Sequence, residues 1–198
     1  MVDYITGGER GMSELFSEYF SLVHDYVPLS AYLSLLVVFL IGSMVLLATC
    51  GLKKGLRNSL VLLLVEYIML LFFQMVAFRP LMKTSALCLQ PFWSYRAIQE
   101  GKGILLPEII MNVVVFLPVG FLLGGAFQKM KWWMVLLIGL CVSVAIEALQ
   151  FIYQRGLSEV DDVIHNVVGC LVGFGIFFMC ASLLKRVNLK LPKEEKSR

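Results

Sequence analysis

Residues 132–154 read WWMVLLIGLCVSVAIEALQFIYQ, and Glu147 is the only charged side chain in this run. A hydrocarbon core of about 30 Å is crossed by about 20 helical residues, so the run is long enough for a transmembrane helix. Four further runs meet the same test, and the predicted spans are residues 29–50, 59–78, 104–127, 132–154 and 160–184. The sequence therefore predicts an all-α fold: a polytopic membrane helical bundle of about five transmembrane helices.

The composition of the whole chain supports this fold class. Of its 198 residues, 59% are hydrophobic and 16% are charged, and the mean hydropathy is +0.83. A soluble domain of this size cannot bury so much apolar surface. The basic residues lie at the ends of apolar runs, which is typical of membrane topology signals and not of a nucleic-acid interface. We therefore predict membrane lipids as partners and no nucleic acid.

The distribution of Lys and Arg predicts how the chain is oriented in the membrane. Eleven of these residues fall on one side of the predicted bundle and six on the other. The richer side is expected to be cytoplasmic. This places the N-terminus outside, the C-terminus inside, and residues 185–198 in a basic cytoplasmic tail. The chain is thus expected to be a multi-pass protein of the cell membrane.

Two segments outside the spans have features of their own. Apolar residues recur at helical spacing within residues 1–28, with Ser13 as a candidate cap, and they predict an amphipathic helix on the outer surface. The external loop 79–103 contains Pro80, Pro91 and Trp93, which favours an irregular segment that lies partly in the headgroup region. A second interpretation makes this loop a lid that folds inward.

Polar side chains concentrate near the outer ends of the last three spans, where an ionisable or amide group is costly unless it has a partner or a function. At 1.5 Å per residue, Asn112, Glu147 and Asn166 each lie about 8–12 Å inside their outer helix ends, so we expect them at one depth. The sequence therefore predicts a ligand-binding cluster near this level. Its predicted members are Asn112, Glu147, Gln150, Arg155, Asp161, Asp162 and Asn166.

The fifth span supplies most of this cluster. Asp161 faces His165, and Asp162 faces Asn166, because residues four apart lie on the same side of a helix. A buried carboxylate needs a partner, and Arg155, His165 and the asparagines are the available ones. The alternative interpretation is a purely structural knot in which these groups satisfy one another and tie three helices together.

The third and fifth spans share a pattern. Each begins with an acidic residue followed four positions later by Asn-Val-Val, as in Glu108 to Asn112 and Asp162 to Asn166, and each continues into glycines that let helices approach closely. Pro118 is expected to kink the third span. The small-residue pairs are Gly120/Gly124 and Gly169/Gly173, and the second span adds the unassigned intramembrane polar residues Glu66 and Gln74.

Separated motifs lie in order between residues 91 and 173. They are Pro91-Phe92, then Asn112 with Phe116-x-Pro118-x-Gly120-Phe121, then Glu147-x-x-Gln150, and finally Asp161-Asp162-Val163 with Asn166-x-x-Gly169 and Gly173. This ordered set resembles the VanZ family of bacterial membrane proteins. The resemblance implies a contribution to resistance against glycopeptide antibiotics, chiefly the lipid-bearing teicoplanin type, and it brings no enzymatic activity with it. His165 stands where relatives are expected to carry an apolar residue.

Three functional hypotheses follow. The first is binding of a lipoglycopeptide or a lipid-linked cell-wall precursor in an outer-leaflet polar pocket. The second is an enzyme acting on such a substrate, with Glu147 or Asp162 as general base, His165 as acid, and a divalent cation held by carboxylates. The third is a structural or transporter-like subunit, which at five spans would form a homo-oligomer. The five cysteines show no metal-binding spacing, and our first hypothesis includes no cofactor and no metal.

Overall fold

The computed structural model describes residues 11–23, 29–77, 79, 81–83, 86–103, 105–127 and 129–190. Long helices dominate these residues, and a two-stranded sheet and a short helix lie at one end of the bundle. The elements are α1 (Met12–Val23), α2 (Leu29–Cys50), α3 (Leu52–Phe72), a π-helical turn (Phe73–Ala77), β1 (Ala86–Cys88), α4 (Trp93–Gln99), α5 (Leu105–Ala126), α6 (Trp132–Tyr153), β2 (Leu157–Glu159) and α7 (Val160–Lys190).

The five predicted spans are confirmed. Among the described residues, the helical segments long and apolar enough to cross a membrane are Tyr32–Cys50, Leu52–Ala77, Leu105–Ala126, Trp132–Tyr153 and Val160–Lys185. The chain is therefore a multi-pass membrane protein. The N-terminal helix is present over Met12–Val23, whereas residues 1–10, 24–28 and 191–198 lie outside the described residues.

The second span begins earlier than predicted. Gly51 alone connects α2 to α3, and it does so at φ 73°, a left-handed conformation that glycine adopts without strain. The chain therefore reverses within one residue, and Lys53, Lys54 and Arg57 belong to the first turns of α3 instead of to a loop. Likewise, α7 continues to Lys190 through the start of the segment predicted as a tail.

The α5–α7 pair is the centre of the bundle, because both predicted glycine motifs lie in its interface. A β-carbon on Gly120 would meet the backbone carbonyl of Cys170, and one on Gly173 would meet that of Leu117. The two helices run in the same direction and approach until backbone touches backbone. Side chains such as Phe116, which is fully buried, fill the space around this contact.

The loop between the second and third spans is more ordered than predicted. It contains β1, which pairs in parallel with β2 so that Ala86 lies opposite Leu157 and Cys88 opposite Glu159. It also contains the helix α4. The prediction of an irregular segment was wrong for these residues, because bonds to the distant strand β2 and to α7 impose an order that the proline content does not reveal.

Candidate functional site

The buried polar residues gather where α6 ends and where α5 and α7 begin, and we call this the site end of the bundle. Six of the seven predicted ligand-binding residues are buried, and Arg155 is half-buried. The loop 86–99 covers this end. The six buried residues are Asn112, Glu147, Gln150, Asp161, Asp162 and Asn166.

Two hydrogen bonds tie α7 to its neighbours. Asn112 Nδ2 donates to Asp162 Oδ1 at 2.6 Å, which links α5 to α7. Asn166 Nδ2 donates to Ser143 Oγ at 2.8 Å, which links α6 to α7. Asn112 is therefore bonded to a residue near the start of α7 and not to Asn166. The common depth predicted for the two asparagines does not make them partners, because each bonds to a different residue.

Glu147 is joined to the strand β2. Its carboxylate accepts a hydrogen bond from the backbone N–H of Glu159 at 2.9 Å, and its backbone carbonyl accepts one from Ser158 Oγ at the same distance. Both contacts arise because Gly156, at φ 125°, turns the chain back after α6. Glu147 thus orients the segment that leads into α7.

Asp161 caps the short helix α4 from outside. Its Oδ1 accepts from the Phe92 N–H at 2.5 Å, and its Oδ2 accepts from the Ser94 N–H at 3.0 Å and from Ser94 Oγ at 2.7 Å. Phe92 has the left-handed φ of 61° and offers no side-chain cap of its own. A carboxylate at a helix N-terminus satisfies free N–H groups. Because both of its oxygens are used in this way, Asp161 holds the loop to α7.

Two further contacts fasten the loop. Tyr95 Oη lies 2.9 Å from His165 Nε2, and the two rings are 5.7 Å apart. Trp93 Nε1 donates to Glu159 Oε2 at 2.7 Å. Asp161 and His165 were predicted to lie on one face of α7, and both contact the loop. The sequence did not identify Trp93, Ser94 or Tyr95 as partners of that face.

Arg155 does not lie against Glu147. Its Nη1 donates to the carbonyl oxygens of Ala77, at 2.7 Å, and of Arg79, at 2.5 Å. Gln150 Nε2 donates to the Met75 carbonyl at 2.9 Å. The last carbonyl groups of a helix have no intrahelical partner. Both side chains therefore bond to the turn that ends the second span, and Arg155, which was one of several candidate partners for a buried carboxylate, donates to backbone carbonyls instead.

Arg79 is the cation that the sequence analysis missed. Its half-buried guanidinium interacts electrostatically with Glu108, Glu147 and Asp162. A β-carbon on Gly156 would lie 2.8 Å from Arg79 Nη1, so the glycine makes room for this side chain. Arg79 follows the second span directly, where a loop cation is common. Its position near the carboxylates depends on the fold and cannot be inferred from the sequence.

The carboxyl of Glu159 lies outside the spans and is 8% exposed. Burial raises its pKa to about 8. The negative charges of Glu108, Glu147 and Asp161 also raise this pKa, whereas the hydrogen bond from Trp93 lowers it. The site end therefore holds a carboxyl that is largely protonated at neutral pH.

Three buried side-chain atoms at the site end have hydrogen-bonding capacity that the described part of the protein does not use. They are Gln150 Oε1, His165 Nδ1 and Asn166 Oδ1. Buried polar groups are normally paired, because an unpaired one costs about 1–3 kcal/mol. Within the described ranges, no group of three or more His, Cys, Asp or Glu side chains is placed to hold a metal ion.

Three other predicted features are not members of this polar cluster. Glu66 is buried between α2 and α3, with Oε1 unpaired among the described residues, and it lines a small cleft of about 120 Å³. Gln74 lies half-buried in the π-helical turn. Pro118 lies inside α5 and lines an apolar groove of about 370 Å³ between α3, α5 and α7, and the kink expected there stays a prediction.

Comparisons with known proteins agree with the resemblance of the motifs. The model of the family described as VanZ/LLP1 matches residues 59–183. Protein VanZ of Enterococcus faecium is 34% identical over 70 residues, which are 35% of this chain and 44% of that protein, so the match spans less than half of that relative. No solved structure matches. Because the family match includes every helix that supplies a buried polar group to the site end, the chain belongs to the VanZ/LLP1 family.

Proposed function

We propose that this protein contributes to resistance against teicoplanin-type glycopeptides by binding the lipoglycopeptide, or a lipid-linked cell-wall precursor, at the site end of the bundle. The proposal includes the orientation inferred from charge: the N-terminus and the site end face outward, and the C-terminus is cytoplasmic. Both ligands and the cell wall are found on the outward side.

The observation that carries the proposal is the unused hydrogen-bonding capacity of Gln150, His165 and Asn166. A purely structural knot gains nothing from leaving three buried atoms unpaired at about 1–3 kcal/mol each. A polar ligand group that reaches them recovers this cost on binding. Asn166 and Gln150 offer acceptors, and the imidazole offers Nδ1.

The covering loop supplies the other half of an amphiphile site. Phe92 and Tyr95 are 58% and 44% exposed, and their rings lie 6.1 Å apart beside His165. Exposed aromatic rings at a membrane interface favour the boundary between acyl chains and headgroups. A ligand with a polar head and a lipid chain therefore meets both kinds of surface.

The test is direct binding to the purified protein in nanodiscs. The probes are teicoplanin, a matched glycopeptide without an acyl chain, and a lipid-linked precursor. We expect binding of teicoplanin or of the precursor and at least about tenfold weaker binding by Gln150→Met and His165→Phe. Gln99→Met is the control, because Gln99 is an exposed amide at the end of α4. Melting temperatures establish that each variant is folded.

Two results contradict the proposal. The first is failure of the wild-type protein to bind either lipid-bearing probe. The second is unchanged affinity and unchanged resistance in Gln150→Met and His165→Phe, with a lowered melting temperature. That second result assigns the polar groups to fold stability alone.

A further inference from the structure

The end of the bundle opposite the site end carries a cationic cleft of about 430 Å³ at the start of α3. Lys53, Lys54 and Arg57 line it, and Leu56 and Gly125 complete its wall. Among the described residues, none of the three cations has an ion-pair or hydrogen-bond partner. The cleft therefore concentrates uncompensated positive charge.

The helix start adds to this charge. The residue before α3 is Gly51, whose side chain cannot cap the helix, and no side-chain hydrogen bond reaches the first N–H groups. These N–H groups carry the positive end of the helix dipole. The cleft thus combines three cationic side chains with free backbone donors, which is the chemistry that recognises a phosphate.

The apolar groove beside Pro118 continues the same interface. On α3 the residues Leu56, Leu60, Leu63 and Tyr67 follow one another at helical spacing, the first two lining the cleft and the last two lining the groove. Gly125 of the cleft likewise lies one turn from groove residues of α5. The cleft and the groove therefore follow one another along the α3–α5 interface, with α7 also lining the groove, and we call the two together the channel.

The groove has a surface suited to an acyl chain. The hydroxyl of Tyr67 is engaged with the Val115 carbonyl at 2.8 Å, so the aromatic ring is the part available to the groove. From Arg57 to Tyr67, α3 rises about 15 Å, which is half of a hydrocarbon core of about 30 Å. The cleft and the groove together thus extend over about one leaflet.

We propose that this channel is a binding site for an anionic phospholipid of the leaflet in which α3 begins. The phosphate lies among Lys53, Lys54 and Arg57, and one acyl chain lies along Leu63 and Pro118. The positive charge of the cleft complements the phosphate, and the apolar stripe along α3 complements an acyl chain, so an anionic phospholipid fits both. A soluble phosphate would use the cleft alone, and a zwitterionic lipid would offer the cations no net charge.

The experiment is native mass spectrometry of the full chain in detergent, where membrane topology plays no part. Phosphatidylglycerol, phosphatidylcholine with the same chains, and inorganic phosphate are titrated separately. We expect one phosphatidylglycerol to bind at least about fivefold more tightly than phosphatidylcholine. The triple variant Lys53→Gln, Lys54→Gln, Arg57→Gln is expected to lose at least about tenfold in affinity for phosphatidylglycerol.

Two matched controls separate this site from general surface charge and general lipid contact. Lys129→Gln, Lys131→Gln, Lys185→Gln removes three cations from the same end of the bundle but outside the cleft, and it is expected to keep the affinity. Leu63→Trp fills the groove and is expected to weaken binding at least about fivefold. Val65→Trp, on the exposed face of α3, is expected to have no effect.

The proposal is overturned if phosphatidylcholine binds as tightly as phosphatidylglycerol, or if the control triple variant loses as much affinity as the cleft variant. It is also overturned if inorganic phosphate binds as tightly as phosphatidylglycerol while Leu63→Trp has no effect, since the cleft would then be a site for free anions. Melting temperatures of all variants are measured alongside, and a variant that melts early is replaced by the single substitution Arg57→Gln or Leu63→Phe.

Discussion

The two halves of α7 make different kinds of contact. The first half, around residues 161–166, contacts the covering loop, α5 and α6 through polar side chains. The second half, around residues 169–177, packs glycine and phenylalanine against α5. One half is held by directional bonds to three separate elements. The other is held by close packing, chiefly against α5, with Cys170 also packed against Gly139 of α6. The first half therefore has unused polar capacity, whereas the second half is sealed against α5 by backbone contact.

The largest effect is expected in the sealed half. Gly173→Leu puts a side chain into the Leu117 backbone, and it should lower the free energy of unfolding by more than about 4 kcal/mol or prevent folding. Gly175→Leu is the matched control, because nothing lies within 4 Å of a β-carbon at Gly175. Thermal unfolding of the purified proteins measures both. Equal melting temperatures for the two variants would contradict close packing as the basis of the α5–α7 contact.

The sequence predicted the sealed half well. Glycines spaced four apart predict a helix face that another backbone can contact, because they lie one turn apart and have no side chain. Gly120, Gly169 and Gly173 all lie in the contact between α5 and α7, although the glycine pairs alone did not identify the partner helix. The apolar runs likewise predicted five spans, because length and hydropathy decide whether a helix can cross a bilayer.

For the polar half, the sequence predicted which residues take part but not which residues they bond to. The sequence identified Asp161 and Asn112, but their partners are 67–69 and 50 residues away in the chain, and no spacing rule connects such positions. Arg79 and Ser94 gave no signal of their own. Ser143 did give one, since it is a polar residue one turn before Glu147 in an apolar span. Its hydrogen bond to Asn166 still depends on how α6 and α7 are rotated.

A smaller effect is expected where α7 holds the loop. Asp161→Ala removes three hydrogen bonds to Phe92 and Ser94, and it should destabilise the protein by about 2–3 kcal/mol. Hydrogen exchange at residues 86–99 should rise more than exchange in α5, because the loop loses its cap first. Glu100→Ala, at the exposed end of α4, is the control. Unchanged exchange in the loop of Asp161→Ala would show that other contacts hold it.

The smallest effect in acid is expected at Glu159, and above about pH 4.5 it appears as a change in pH dependence. The pKa of this carboxyl is about 8 in the fold and 4.5 ordinarily. Between these values the folded protein binds more protons than the unfolded chain, so this group's contribution to stability is complete below about pH 4.5 and is lost as pH rises through 8. Glu159→Gln cannot ionise, and its melting temperature should fall less than that of wild type between pH 6 and about 9.

At about pH 4.5, where the carboxyl is protonated in the fold, the same substitution should change stability by less than about 1 kcal/mol, since the amide oxygen of Gln still accepts the hydrogen bond from Trp93. At neutral pH it should stabilise the protein relative to wild type, because the wild-type carboxyl ionises on unfolding and the amide does not. Glu100→Gln removes an exposed carboxylate from the same loop and should leave the pH profile as it is in wild type. If Glu159→Gln and wild type lose stability in parallel as the pH rises, the carboxyl is already ionised in the fold.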